Sequence, residues 1–97
     1  MIYIFDIDNT VCKTMLDDYA NAEPNEDRIK TVNKLYDDGN KIIYFTGRGT
    51  ETGIDWEDLT LKQLKGWNCK FSELIMGKPY GDFLIDDKAV NSEEFFK

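Results

Sequence analysis

The chain contains no histidine. That excludes Ser-His and Cys-His triads and every imidazole metal site. Acid–base chemistry near neutral pH is left to carboxylates, lysine and tyrosine. Only two cysteines occur, Cys12 and Cys69, and their spacing matches no zinc motif. No apolar run approaches the ~18 residues of a membrane-spanning helix, and the first one is broken by Asp6 with no basic segment before it. A signal peptide is therefore not expected, and the cysteines read as reduced thiols of a cytoplasmic protein. Basic surface is scarce as well. The net charge is −7, which disfavours nucleic acid without excluding a specific contact, and opposes binding to anionic membranes.

What is present fits a soluble α/β domain. At 97 residues the chain is expected to form a single domain, 1–97. Ile2–Phe5 reads as a strand apolar on both faces, as in a buried parallel sheet. Cys12–Glu23 is polar and reads as a loop or flap. Asn25 is placed to cap a helix, with Glu26 and Asp27 in its first turn, Ile29, Val32, Leu35 and Tyr36 on one face, and Gly39 at its end. Ile42–Phe45 is a second apolar strand. Asp55 is placed to cap a second helix, with Trp56, Leu61 and Leu64 inward and Gly66 closing it. Phe71–Met76 holds a third strand, Phe83–Ile85 a short fourth one, and Ser92 stands ready to cap a last stub helix with Phe95 and Phe96. Strand–helix–strand–helix–strand predicts right-handed crossovers about a small parallel sheet, a Rossmann-like three-layer sandwich.

The polar residues gather where strands stop, the usual ligand position in open α/β sheets. Asp6 and Asp8 follow the first strand, Thr46, Gly47 and Arg48 the second, and Asp86 and Asp87 the last, with Lys78 shortly before it. Taken singly these are ordinary turn, cap and surface residues. Taken in order they form a set suited to phosphoryl transfer. Four carboxylates brought together need a hard cation, and Mg²⁺ is the usual one beside phosphate. Thr46 and the Gly47 amide can hold phosphate oxygens, Lys78 can neutralise charge, and Arg48 is a candidate contact for a substrate phosphate.

This ordered set resembles the haloacid dehalogenase (HAD) superfamily of phosphohydrolases over nearly the whole chain. Its first motif, strand then Asp-x-Asp-x-Thr, is met by Asp6, Asp8 and Thr10. The second is met by Thr46, the third by Lys78, the fourth by Asp86 and Asp87. Trp56–Leu64 and the run from Phe83 to Ala89 are also similar to small capsule-biosynthesis phosphatases. The resemblance implies a Mg²⁺-dependent phosphomonoesterase working through an aspartyl-phosphate. Asp6 is then the nucleophile and Asp8 the acid–base residue, with its backbone carbonyl on the metal. Thr46 and Lys78 hold the phosphoryl group, and Asp86 and Asp87 complete the metal site. Members of this superfamily commonly insert a cap domain after the first or second motif; here neither interval has room for one. A capless member is expected, acting on a phosphorylated sugar or other small metabolite. The flap, the 49–55 loop or a neighbouring subunit of a homo-oligomer is left to supply specificity. The alternatives are a phosphatase of polynucleotide ends or phosphoproteins, and a non-catalytic module binding metal and phosphate.

Overall fold

A computed structural model describes residues 1–97. Its main sheet is parallel and three-stranded, with β1 (Ile2–Phe5) on one edge, β4 (Lys41–Thr46) in the centre and β5 (Glu73–Met76) on the other edge. Tyr3 lies opposite Ile42 and Phe5 opposite Tyr44, while Tyr44 also faces Leu74 and Thr46 faces Met76. The crossovers are α1 (Glu26–Asp37) and α2 (Glu57–Gly66). Both step in the same direction across the sheet, so the right-handed rule puts both helices on one face. A small antiparallel pair, β2 (Cys12–Lys13) with β3 (Glu23–Pro24), frames the expected flap.

Local sequence accounts for the helices. The Asn25 side chain accepts the Arg28 amide at 3.1 Å, and Glu26 and Asp27 lie in the positive first turn of α1. Ile29 and Val32 are buried, and Gly39, with φ at +98°, turns the chain toward β4. The expected Asp55 cap is displaced by one residue: Trp56 holds the N-cap position of α2 with no side-chain cap bond, and Asp55 before it accepts the Glu57 amide at 3.0 Å. The end of α2 differs from expectation. Gly66 is the last helical residue, and the left-handed position belongs to Asn68 at φ +61°, a conformation asparagine tolerates better than most side chains.

The core joins Phe5, Ile42 and Tyr44 of the sheet to Ile29, Val32 and Leu64 of the helices, with Ile7 and Val11 from the chain beyond β1. A short α3 (Ser92–Phe95) covers the same face, setting Phe95 5.5 Å from Phe5 and 6.2 Å from Tyr3, centroid to centroid. Its cap is Asn91, which accepts the Glu93 amide, and not the expected Ser92. The architecture is thus the expected Rossmann-like α/β fold with a parallel sheet and no cap domain. All three helices lie on one face, so the second helical layer is not built within these residues. On the other face Ile2 and Ile4 are 65% and 62% exposed. The expectation that β1 is buried on both faces is therefore corrected: it is an edge strand.

One expected strand does not form. Phe83, Leu84 and Ile85 have no ladder partner and are 88%, 72% and 94% exposed. Only three apolar residues lie between Asp82 and Asp86, and Asp86 accepts the Lys88 amide in a local turn at 3.0 Å, which takes the chain out of extended pairing. No helix is long and apolar enough to cross a membrane.

Candidate active site

The carboxyl ends of β1, β4 and β5 converge as the sequence predicts. Beyond β1 the chain turns tightly at Asn9 (φ +60°), and the Thr10 and Val11 amides both reach the Ile7 carbonyl, at 3.1 and 3.0 Å. The turn presents Asp6 and Asp8 on either side of buried Ile7. From β5, Gly77 (φ +91°) leads to Lys78, whose amide bonds the Thr46 carbonyl at 3.0 Å. Its Nζ stands 3.5 Å from Asp6 Oδ1. Burial pushes the Asp6 carboxyl above its ordinary range, against the opposing pull of Lys78 and the Ile7 amide. Lys78 is thus beside Asp6, and Lys88 is part of the exposed turn at Asp86.

Asp8 sits in a different environment. Arg48 grips it with two bonds, Nε to Oδ2 at 2.9 Å and Nη2 to Oδ1 at 2.8 Å. Thr14 adds its hydroxyl to Oδ1 at 2.6 Å. Burial raises the Asp8 pKa, but these bonds outweigh it and hold the carboxyl below its usual range. The Arg48 guanidinium is wholly buried, with Nη1 donating to Thr60 (3.2 Å) and Gln63 (2.6 Å) and the Tyr19 ring lying 4.8 Å from Cζ. Arg48 is therefore corrected from a substrate contact to the residue that fixes Asp8: a buried cation already committed to four side-chain acceptor contacts has no path to a bound phosphate.

Thr46 is buried at the end of β4, and its hydroxyl accepts the Arg48 amide at 3.1 Å. Gly47 permits close approach to the neighbouring loop, since a Cβ there would lie 3.1 Å from the Lys78 carbonyl oxygen. The Thr50 hydroxyl bonds that same carbonyl at 2.9 Å, tying the loop after β4 to Lys78. Gly49 has φ +79°, and a Cβ at this position would run into the Ile54 carbonyl. Gly49→Ala is expected to cost ~2–4 kcal/mol from strain and clash together; chemical denaturation of the purified variant measures it, and a cost below half a kcal/mol would contradict this loop geometry.

Asp86 and Asp87 are not brought to this site. Both are exposed, and nowhere in the chain do three or more acidic or cysteine side chains form a group able to hold a metal. The cause is the unformed fourth strand. Of the expected ligands, Asp6 offers its carboxylate and Asp8 its backbone carbonyl, since both Asp8 side-chain oxygens are held by Arg48. Mg²⁺ is commonly held by one or two carboxylates with waters and a substrate phosphate, so Asp6 and the Asp8 backbone carbonyl are what this site offers the ion, without the expected contribution of Asp86 and Asp87.

Thr14, Tyr19, Thr60 and Gln63 were not foreseen from sequence. The i, i+3 spacing of Thr60 and Gln63 on one helix face was the available signal; that they surround a buried arginine depends on the flap folding back, where Gln63 Nε2 bonds the Tyr19 carbonyl at 2.5 Å. Both cysteines are unpaired, as expected, and burial pushes the Cys69 thiol to about 11. A cleft of about 310 Å³ is lined by Arg48, Gly49, Thr50, Trp56, Met76 and Gly77, among others, and neither Asp6 nor Lys78 lines it.

No protein-family model and no curated protein matches the chain. Among solved structures, a crystal structure of an MCSG target from Vibrio cholerae is similar to it, with a TM-score of 0.88 and 27% identity over 98% of this chain and 86% of that one. The likeness bears on the fold.

Proposed function

We propose that the protein is a phosphomonoester hydrolase of the haloacid dehalogenase type, acting through an aspartyl-phosphate on Asp6. The observation that carries this reading is the Asp6–Lys78 pair, 3.5 Å apart at the carboxyl ends of β1 and β5, with Asp8 locked as a carboxylate two residues on. In the first step an Asp6 oxygen attacks phosphorus, the bond from phosphorus to the leaving oxygen breaks, and the departing alkoxide takes a proton from water. Lys78 offsets charge on the phosphoryl group and on Asp6, while Thr46 and the Gly47 amide border the phosphoryl position. In the second step water attacks phosphorus, its proton passes to Asp8 and on to solvent, where it neutralises the hydroxide left by the first step, and the acyl-phosphate bond breaks to release phosphate and regenerate Asp6. Mg²⁺, which the Asp6 carboxylate and the Asp8 backbone carbonyl would hold, would offset charge on the phosphoryl oxygens when bound.

A cytoplasmic phosphorylated sugar or similar metabolite is the proposed substrate. The net charge of −7 disfavours polynucleotide ends. Because Asp8 is held ionised, activated esters are expected to be turned over faster than alkyl phosphates, by ~10²-fold or more where a general acid would otherwise assist. Equal rates with p-nitrophenyl phosphate and an alkyl phosphate would count against this division of roles.

Lys78→Ala is expected to lower kcat/KM by ~10²–10³-fold with the fold intact, and Lys88→Ala to leave it within twofold of the parent. The comparison is made with p-nitrophenyl phosphate. A critical Lys88 and a dispensable Lys78 would overturn the assignment.

A further inference from the structure

Asp8 belongs to a closed ring of hydrogen bonds that runs through the flap. Its Oδ1 accepts the Thr14 hydroxyl at 2.6 Å and Arg48 Nη2 at 2.8 Å. On the other side of the guanidinium, Nη1 donates to Gln63 Oε1 at 2.6 Å, and Gln63 Nε2 donates to the Tyr19 carbonyl at 2.5 Å. Thr14 and Tyr19 end one stretch of the flap, so the chain between them completes the ring. Within it Met15 and Leu16 are 70% and 94% exposed. That stretch therefore draws little from packing and depends on its two pinned ends.

The chemistry of Gln63 suits this place. A carboxamide carries an acceptor on one side and donors on the other, and here the acceptor meets a cation while a donor meets a carbonyl. The reversed amide would set donor against donor and oxygen against oxygen, so the tie has a single sense. Thr60, the other acceptor on Nη1, does not reach the flap, because its hydroxyl donates to the Trp56 carbonyl at the start of α2 at 2.7 Å. The Tyr19 ring seats the same end of the flap, with Arg48 Cζ 4.8 Å from its centre and the Trp56 ring 5.2 Å away.

We propose that Gln63 is a positioning residue: by tying Arg48 to the flap it keeps the Asp8 carboxylate in register with the water that attacks phosphorylated Asp6. Its amide acts through Arg48 and Tyr19 alone. When the bond to Tyr19 is lost, the flap lifts, the Thr14 hydroxyl leaves Oδ1, and Asp8 is held from one side only. Attack by Asp6 in the first step uses no group of the ring, so release of the phosphoryl group is the step that suffers. This consequence rests on the phosphatase reading; the tie between Gln63 and the flap does not.

Two variants divide the bonds of the glutamine. Gln63→Glu keeps an acceptor for Arg48 and loses the donor to Tyr19, while Gln63→Met loses both. Amide hydrogen exchange across residues 14–22 should quicken roughly five- to tenfold in each, the scale of one buried hydrogen bond, with the sheet unchanged. Exchange at the parent's rate in Gln63→Glu would overturn the tie. Rapid mixing of either variant with p-nitrophenyl phosphate should release a burst of p-nitrophenolate, followed by turnover ~10-fold or more below the parent, because only breakdown of the acyl-phosphate is slowed. Burst and turnover falling together, or turnover unchanged, would overturn the positioning role. Thr14→Val cuts the ring on its other side. Added to Gln63→Glu, it should slow turnover by no more than about threefold beyond the slower single variant, because a ring already open has little left to lose. Losses that multiply independently would contradict a shared ring. A parent protein that releases no p-nitrophenolate would overturn the phosphatase reading and the positioning role with it, while the exchange rates would still decide the tie.

Discussion

Arg48→Met should destabilise the fold by about 3–5 kcal/mol, a large part of the roughly 5–15 kcal/mol available to a small domain. Arg48 is the one cation whose side chain is wholly buried in an ion pair, and its partner Asp8 is only 21% exposed. Removing the guanidinium leaves a largely buried carboxylate without a counter-charge and strips Thr60 and Gln63 of their donor. It also frees the flap, because the Tyr19 ring loses the cation 4.8 Å away. Arg48→Lys should recover only part of the loss, since a single ammonium cannot reproduce the paired bonds to both Asp8 oxygens. The same pair predicts an acid limb. The folded-state pKa of Asp8 lies below its unfolded value, so its contribution is present above the ordinary carboxylate range and is lost as pH falls through the depressed value. Urea midpoints measured as a function of pH should show that limb in the parent and a flatter one in Arg48→Met. A loss below 1 kcal/mol would mean that the pair is replaced by solvent at little cost.

Asp6→Asn is expected to abolish turnover, with a fall of ~10⁴-fold or more, the scale on which loss of a nucleophile is felt. The fold should survive, because Asp6 is partly exposed and its one ionic partner, Lys78, is partly exposed as well. In the active protein the ionised form attacks, and burial holds the Asp6 pKa above its ordinary value. The acid limb of kcat/KM should therefore lie above the usual carboxylate range, on the opposite side from the stability limb set by Asp8. Its stability term has the opposite sign too: present below the unfolded pKa and lost as pH rises through the raised one. Stopped assays with p-nitrophenyl phosphate across the acid range separate the two limbs. Residual turnover within tenfold of the parent in Asp6→Asn would remove it from the nucleophile's place.

The legible parts of this chain were those dictated by local chemistry. Asn25 caps α1, and Asp55 bonds an amide at the start of α2, because short polar side chains accept free amides at helix starts, and that requirement is written in a few consecutive residues. The apolar runs at Ile2–Phe5 and Ile42–Phe45 form strands, and the convergence of Asp6, Thr46 and Lys78 follows from parallel crossovers, which place every strand end on one side. What could not be read depends on partners distant in sequence. Arg48 follows Thr46 and Gly47 in a phosphate-like pattern, yet Asp8, Thr60 and Gln63 claim all of its directed contacts, and nothing local distinguishes a buried arginine from a substrate-facing one. Phe83–Ile85 has the composition of a strand, but composition does not say that an edge will take it up. Gly66 is the obvious helix terminator, but the closing bonds, from the Asn68 amide to Lys65 and from the Cys69 amide to Leu64, put the left-handed residue two positions further on, at Asn68.

The central claim is a covalent phosphoryl group on Asp6. Rapid-quench mass spectrometry of the protein mixed with a phosphate ester should find one added phosphoryl group on the peptide that contains Asp6 and Asp8. Fragmentation should place it on Asp6, and the adduct should be absent from Asp6→Asn. An adduct on Asp8, or sustained turnover with no adduct at any time point, would contradict the account.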